Sequence, residues 1–105
     1  MMDLREIMDR INKYAHDKGW WSRPREFGTL IALVHSELSE ALEAERENKQ
    51  SDKIPEFTGV EEELADTVIR ILDMAAELKL DLIGALKAKM DYNDSRPYRH
   101  GGKKF

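Results

Sequence analysis

The sequence predicts an all-α fold: a small four-helix bundle whose core is completed by oligomerisation. Three observations carry that expectation. Apolar residues recur at helical spacing through each long segment. No run alternates with a period of two for long enough to make a strand. The chain of 105 residues has room for one modest core, so residues 1–105 form a single domain.

In the first helix Leu4, Ile7, Met8, Ile11, Tyr14 and Ala15 share a face. Asp3 suits its N-cap with Glu6 three residues on, and Gly19 suits the position past its end. A second helix begins between Pro24 and Thr29 and runs to about Asn48, followed by the polar loop NKQSDKIPEFTG. Thr58 starts a third helix with Glu61 as its capping-box partner, and that helix continues to about Leu78. The fourth runs from near Asp81 to Asn93. From about residue 94 to 105 Pro97 and the pair Gly101-Gly102 predict an extended basic tail. The helices are apolar over wide arcs, which favours pairing with further copies of the chain.

Hydrophobic residues make up 41% of the chain and charged residues 36%, a globular balance. No apolar run approaches the roughly 20 residues needed to span a bilayer. The opening MMDLREIMDR is too acidic and too broken for a secretory signal, and there is no cysteine. A cytoplasmic protein without membrane partners is expected. The net charge of −4 argues against binding nucleic-acid polymers. Its distribution is uneven: Glu37 to Asp66 holds eleven acids against three bases, whereas Leu86 to Phe105 holds six bases against two acids. A metal carrying a polyphosphate would suit both halves; a solvated acidic face with a basic end is the plainer account.

With successive residues set 100° apart, Phe27, Leu30, Ile31, Leu33, Val34, Leu38, Ala41 and Leu42 fill one arc of the second helix. Glu37 falls inside that arc and Glu40 at its margin. A buried, unpaired carboxylate is costly, so a cation should face Glu37. On the third helix Glu63 lies at the edge of the apolar arc, and Asp66 lies with Arg70 and Asp73. Arg70 is one turn from Asp66 and two turns from Glu63 and could pair with them locally, Glu61 is a capping partner, and Glu62 is expected in solvent. Two facing helices, each offering two carboxylates one turn apart, make an all-oxygen pocket suited to Mg²⁺, with Mn²⁺ as a substitute. A di-iron bundle would want Glu-x-x-His pairs, and none of His16, His35 and His100 stands three residues after a glutamate.

Glu37-x-x-Glu40, then twenty-two residues, then Glu63-x-x-Asp66 resembles the signature of the MazG-like all-α nucleoside triphosphate pyrophosphatases. LIALVHSELSEALEAE and EEELADTVIRILDMAAELKLDL look like that family's two metal-binding helices, and KAKMDYNDSRPY is similar to its closing motif. The likeness covers about residues 20 to 98. It implies hydrolysis of a nucleoside triphosphate, most naturally a deoxynucleotide, between the α- and β-phosphates to the monophosphate and pyrophosphate. Glu37, Glu40, Glu63 and Asp66 would hold Mg²⁺ and carry catalysis, while Lys89, Asn93 and Arg96 would bind the triphosphate. Some members carry a candidate general base where this chain has Ser36. The resemblance also suggests that Trp20 or Trp21 stacks on the base, though both also suit core or interface anchors. Tyr98 is a further candidate for substrate contact, and Arg99, with Lys103 and Lys104, for closing over the triphosphate. Tyr14, Phe27 and Met74 read as core, and His35 as structural.

The leading expectation is therefore a nucleotide pyrophosphohydrolase of housekeeping type, assembled as a dimer or tetramer. The alternatives are a non-catalytic helical module that binds nucleotide or metal or simply dimerises, and an enzyme acting on phosphoribosyl-ATP.

Overall fold

The computed structural model describes residues 1–105, and every regular element in it is helical. The order is α1 (Leu4–Asp17), α2 (Phe27–Arg46), α3 (Gly59–Glu77), α4 (Leu82–Asp94) and a short turn, α5 (Arg99–Gly102). The two expected caps are in place: Asp3 accepts from the Glu6 amide at 2.8 Å, and Thr58 and Glu61 form a reciprocal capping box. Asp81 caps α4 as well, accepting from the Gly84 amide at 2.9 Å. No helix is long and apolar enough to cross a membrane.

Three helices end the same way. At the end of α1 the Trp20 amide bonds back to Ala15 and the Gly19 amide to His16, with Gly19 at φ 84°. Asn48 (φ 50°) after α2 and Lys79 (φ 56°) after α3 take the same left-handed position. Their successors, Lys49 and Leu80, bond to Ala44 and Ala75. These Schellman closures satisfy the last carbonyls and turn the chain sharply. The first of them sets where Trp20 leaves α1.

Helices α2 and α3 pack antiparallel: Gly59 lies against Ala44 and the Lys49 carbonyl at the loop end, while Glu37 meets Arg70 further along. A Cβ on Gly59 would come within 3.0 Å of the Lys49 oxygen, so glycine permits this close approach. Helix α1 also packs on α3, where Met8, Leu72 and Ala75 form the centre of the core. Ile7, Ile11 and Ala76 pack around them, and α4 joins through Leu82 and Ile83.

The second helix does not bury one broad arc. Leu30, Glu37, Ala41 and Ala44 are buried, but Phe27, Leu38 and Leu42 are 54%, 44% and 55% exposed. One chain supplies partners for only one side of α2, so the arc divides into a buried stripe and an uncovered one. Leu64 and Val68 on α3 and Leu86 and Met90 on α4 are also exposed, and α4 buries no residue completely. Of the three residues read as core, Met74 is buried, whereas Phe27 and Tyr14 are exposed. Nor is the tail simply extended. It turns at Arg99–Gly102, where four consecutive residues have positive φ.

Candidate functional site

Glu37 from α2 and Glu63 and Asp66 from α3 converge. Each offers a carboxylate oxygen, and these oxygens lie within 4.8 Å of one another. Glu37 is buried, and the other two are half-buried. The expected cation facing Glu37 is Arg70, whose Nε donates to Oε1 at 3.1 Å. Arg70 therefore crosses between helices instead of pairing with Asp66 or Glu63, one and two turns away on α3. The Glu63 Oε2 atom is buried and has no hydrogen-bond partner. An orphaned carboxylate oxygen facing two more carboxylates is chemically complete only with a proton or a cation.

The electrostatics agree. Burial, followed by the closeness of the Glu37 and Glu40 carboxylates and their charges, pushes the Glu63 carboxyl up to about 8. Asp66 is raised by burial and then by the charges of Glu37 and Glu62, with Lys53 and Arg70 opposing. All three acids offer hard oxygen, the donor set for Mg²⁺ or Mn²⁺, so their chemistry fits such an ion.

Two recesses meet at the cluster. One, of about 440 Å³, runs along α3 past Glu37, Glu40, Glu63 and Asp66 to Ile69, Arg70 and Asp73, and ends between Trp20, Tyr14 and Arg25. The other, of about 370 Å³, continues past Glu40 and Glu63 towards Lys49 and Lys53 on the loop. Lys53 lines both. Ser51 holds that loop: it is buried, donates to Glu62, and accepts from the Lys53 and Ile54 amides at 3.2 and 3.0 Å. Glu62 is consequently not solvated, with its side chain only 15% exposed.

The α1 side is a polar wall. Asn12 donates to Asp73 at 2.9 Å and to Glu77 at 3.2 Å, and Trp21 Nε1 donates to both Asp73 oxygens, at 3.2 and 3.0 Å. Burial alone would raise Glu77, but its bonds from Asn12 and His16 outweigh that and hold it low. Trp21 is thus fixed into the wall. Trp20, 60% exposed, stands on the cleft with the Arg25 guanidinium 5.7 Å from its ring.

The structure brings together Glu37, Glu63 and Asp66, with Glu40 exposed at their rim and Trp20 at the far end. Lys89, Asn93 and Arg96 do not line either recess. Lys89 and Arg96 instead flank the Tyr92 ring, at 4.7 and 5.6 Å. Tyr98 is 87% exposed, and Arg99 folds back on the carbonyls of Lys103 and Lys104. Ser36 donates to the Leu33 carbonyl at 2.7 Å and so is tied to its own helix. Two lining residues had a readable signal: Arg70 and Asp73 share the Asp66 face at helical spacing. Lys53 and Arg25 lie outside helices, where no periodicity points to them.

Comparison of the chain with protein-family models, with curated proteins and with solved structures returns no match.

Proposed function

We propose that this protein is a Mg²⁺-dependent nucleoside triphosphate pyrophosphohydrolase, of the MazG-like kind that its acid pairs and closing motif resemble. It would cleave a (deoxy)nucleotide between the α- and β-phosphates, as a cytoplasmic housekeeping activity. One observation carries the reading. Three carboxylates from two helices meet at an orphaned oxygen, at the junction of a cleft that holds an aromatic and a mostly acidic recess that also carries Lys49 and Lys53.

Glu37, Glu63 and Asp66, with Glu40 at the rim, are the residues that would hold Mg²⁺. When bound, the ion supplies Lewis acidity towards phosphate oxygens and a water of lowered pKa. The chain's own groups do the rest. Arg70 bonds to Glu37 and holds it turned towards its partners. Lys53, on the loop, binds the outer phosphates as a point charge. Ile69 underlies the sugar, and Trp20 stacks on the base. With Ser36 tied to Leu33, a separate base at that position plays no part.

Lys89 and Asn93 lie next to the uncovered pair Leu86 and Met90 on α4. In a homo-oligomer, docking of that stripe on the exposed Leu38, Leu42, Leu64 and Val68 of a second copy would bring Lys89, Asn93 and Arg96 to the rim of the neighbour's cleft. This accounts both for the apolar surface and for the absence of the closing motif from the cleft of a single chain.

The test is product analysis with Mg²⁺ and each common dNTP and NTP, with Glu63→Gln alongside. Monophosphate plus pyrophosphate, lost in the variant, supports the reading. Diphosphate plus orthophosphate refutes the assigned bond. No turnover, with nucleotide or Mg²⁺ still raising the melting temperature, leaves a binding module.

A further inference from the structure

The far end of the cleft is unusual in what it offers a base. Its aromatic, Trp20, supplies a face without sequence preference, but its wall carries a carboxylate, Asp73. Asp66, Ile69, Arg70 and Asp73 follow one another along the same side of α3. At a rise of about 1.5 Å per residue, Asp73 stands roughly 10 Å along the axis from Asp66. That is the scale of a nucleotide measured from its α-phosphate, held at the acids, across the sugar to the outer edge of the base.

The hydrogen bonds of Asp73 leave room for a ligand. A carboxylate has about four acceptor positions. Oδ1 accepts from Asn12 and Trp21, and Oδ2 accepts only from Trp21. Asn12 donates to both Asp73 and Glu77, so its amide is oriented by two carboxylates and cannot turn over without placing its oxygen against them. The wall is preorganised, and one position on Oδ2 remains open. A carboxylate oxygen there accepts an N–H and repels a carbonyl oxygen.

We infer that Asp73 determines base specificity in the proposed nucleotide site, accepting a hydrogen bond from an exocyclic amino group. The site then takes bases with an amino group at that edge, the 4-aminopyrimidine or 6-aminopurine type, over their keto counterparts. This rests on the nucleotide pyrophosphohydrolase reading and adds to it the class of base. Trp21 is a positioning residue in this arrangement, since its N–H is spent on Asp73, and Trp20 is the stacking partner.

Matched pairs that differ at that edge give the test: dCTP against dUTP, and dATP against dITP, compared by kcat/KM with Mg²⁺. Binding of the α,β-imido analogues of dCTP and dUTP serves as a second readout. The amino member should lead by roughly ten- to a hundred-fold in at least one pair, the worth of a hydrogen bond to a charged group. Asp73→Asn can keep its oxygen towards Trp21 and Asn12 and turn its amino group to the ligand, so the ratio should collapse or invert. Trp21→Phe keeps the ring and removes only the N–H. It should raise KM for both members while leaving their ratio in favour of the amino base. A wild-type ratio within about two-fold in both pairs, or an Asp73→Asn ratio equal to wild type, overturns the role of Asp73 while leaving pyrophosphohydrolase activity standing. Loss of the ratio in Trp21→Phe alone would mean that Asp73 acts only through the indole, which also overturns direct reading. If no nucleotide is hydrolysed or bound, the proposed function itself fails.

Discussion

Arg70 reaches from α3 to α2 and donates to Glu37 across 3.1 Å, with the arginine side chain 37% exposed and the glutamate 10%. The pair is asymmetric: the acid has lost its water while the base has kept much of its own. Removing the guanidinium therefore leaves a buried charge beside two more acids. Arg70→Met should lower stability by about 1–2 kcal/mol without divalent metal, the cost of an unsatisfied charged group with a partly solvated partner. Added Mg²⁺ or Mn²⁺ should restore most of that loss, because it supplies the missing cation. Urea midpoints with and without metal check this; an equal loss in both conditions would sink it.

The acid cluster also sets a pH dependence. The Glu63 carboxyl stands at about 8 in the folded protein against an ordinary value of 4.5. A raised folded value means that the native state holds the proton more tightly than the unfolded chain does. The stabilisation is complete below about 4.5 and is lost as pH rises through about 8. Asp66, raised for the same physical reason, acts in the same direction. Without metal the melting temperature should fall between these limits. With Mg²⁺ the increment in melting temperature should grow as pH rises, because the ion competes with the proton. A metal-induced shift that does not change with pH would contradict the placement of the ion at these acids.

Glu63→Gln separates stability from activity. The amide removes one charge from the cluster and can donate as well as accept. Metal-free stability at pH 9 should rise, while the metal-induced shift and the hydrolysis fall towards background. Thermal melts and product analysis on the same preparation decide it, and a destabilised variant at pH 9 would argue against crowding of the carboxylates.

Lys53 is 84% exposed and its nearest acid, Glu62, is 3.9 Å away. Such a pair contributes little to folding. Lys53→Met should leave the melting temperature within about a degree, in line with the weakness of surface pairs. It should also raise KM for a triphosphate by about ten-fold, the effect of one charge-assisted contact. Unchanged KM would remove Lys53 from the phosphate path.

Lys79 carries a left-handed φ of 56° at the closure of α3, where a side chain is strained. Lys79→Gly should stabilise the fold by roughly 1 kcal/mol, with no effect on the cleft. Chemical denaturation measures this directly.

Much of the architecture was legible along the chain. The Asp3 and Thr58 caps, the turn at Gly19 and the polar loop follow from local chemistry, because a cap or a left-handed glycine depends on residues within one turn. That Glu37 shares a side with Glu40, and Glu63 with Asp66, was legible for a similar reason, since helical spacing fixes which side chains of one helix project together. The need for a cation at Glu37 was also readable from its place in an apolar arc. Which cation answers it was not: Arg70 has Asp66 one turn away and Glu63 two turns away on its own helix, and only the packing of α3 on α2 sends it across. Tertiary structure likewise decided that Leu38, Leu42 and Phe27 stay uncovered, that Trp21 is spent on Asp73 while Trp20 remains free, and that α4 keeps Lys89 and Asn93 away from the cleft. Sequence periodicity says which residues share a face. What meets that face depends on helices brought together from far along the chain, and here on how little of it one copy can bury.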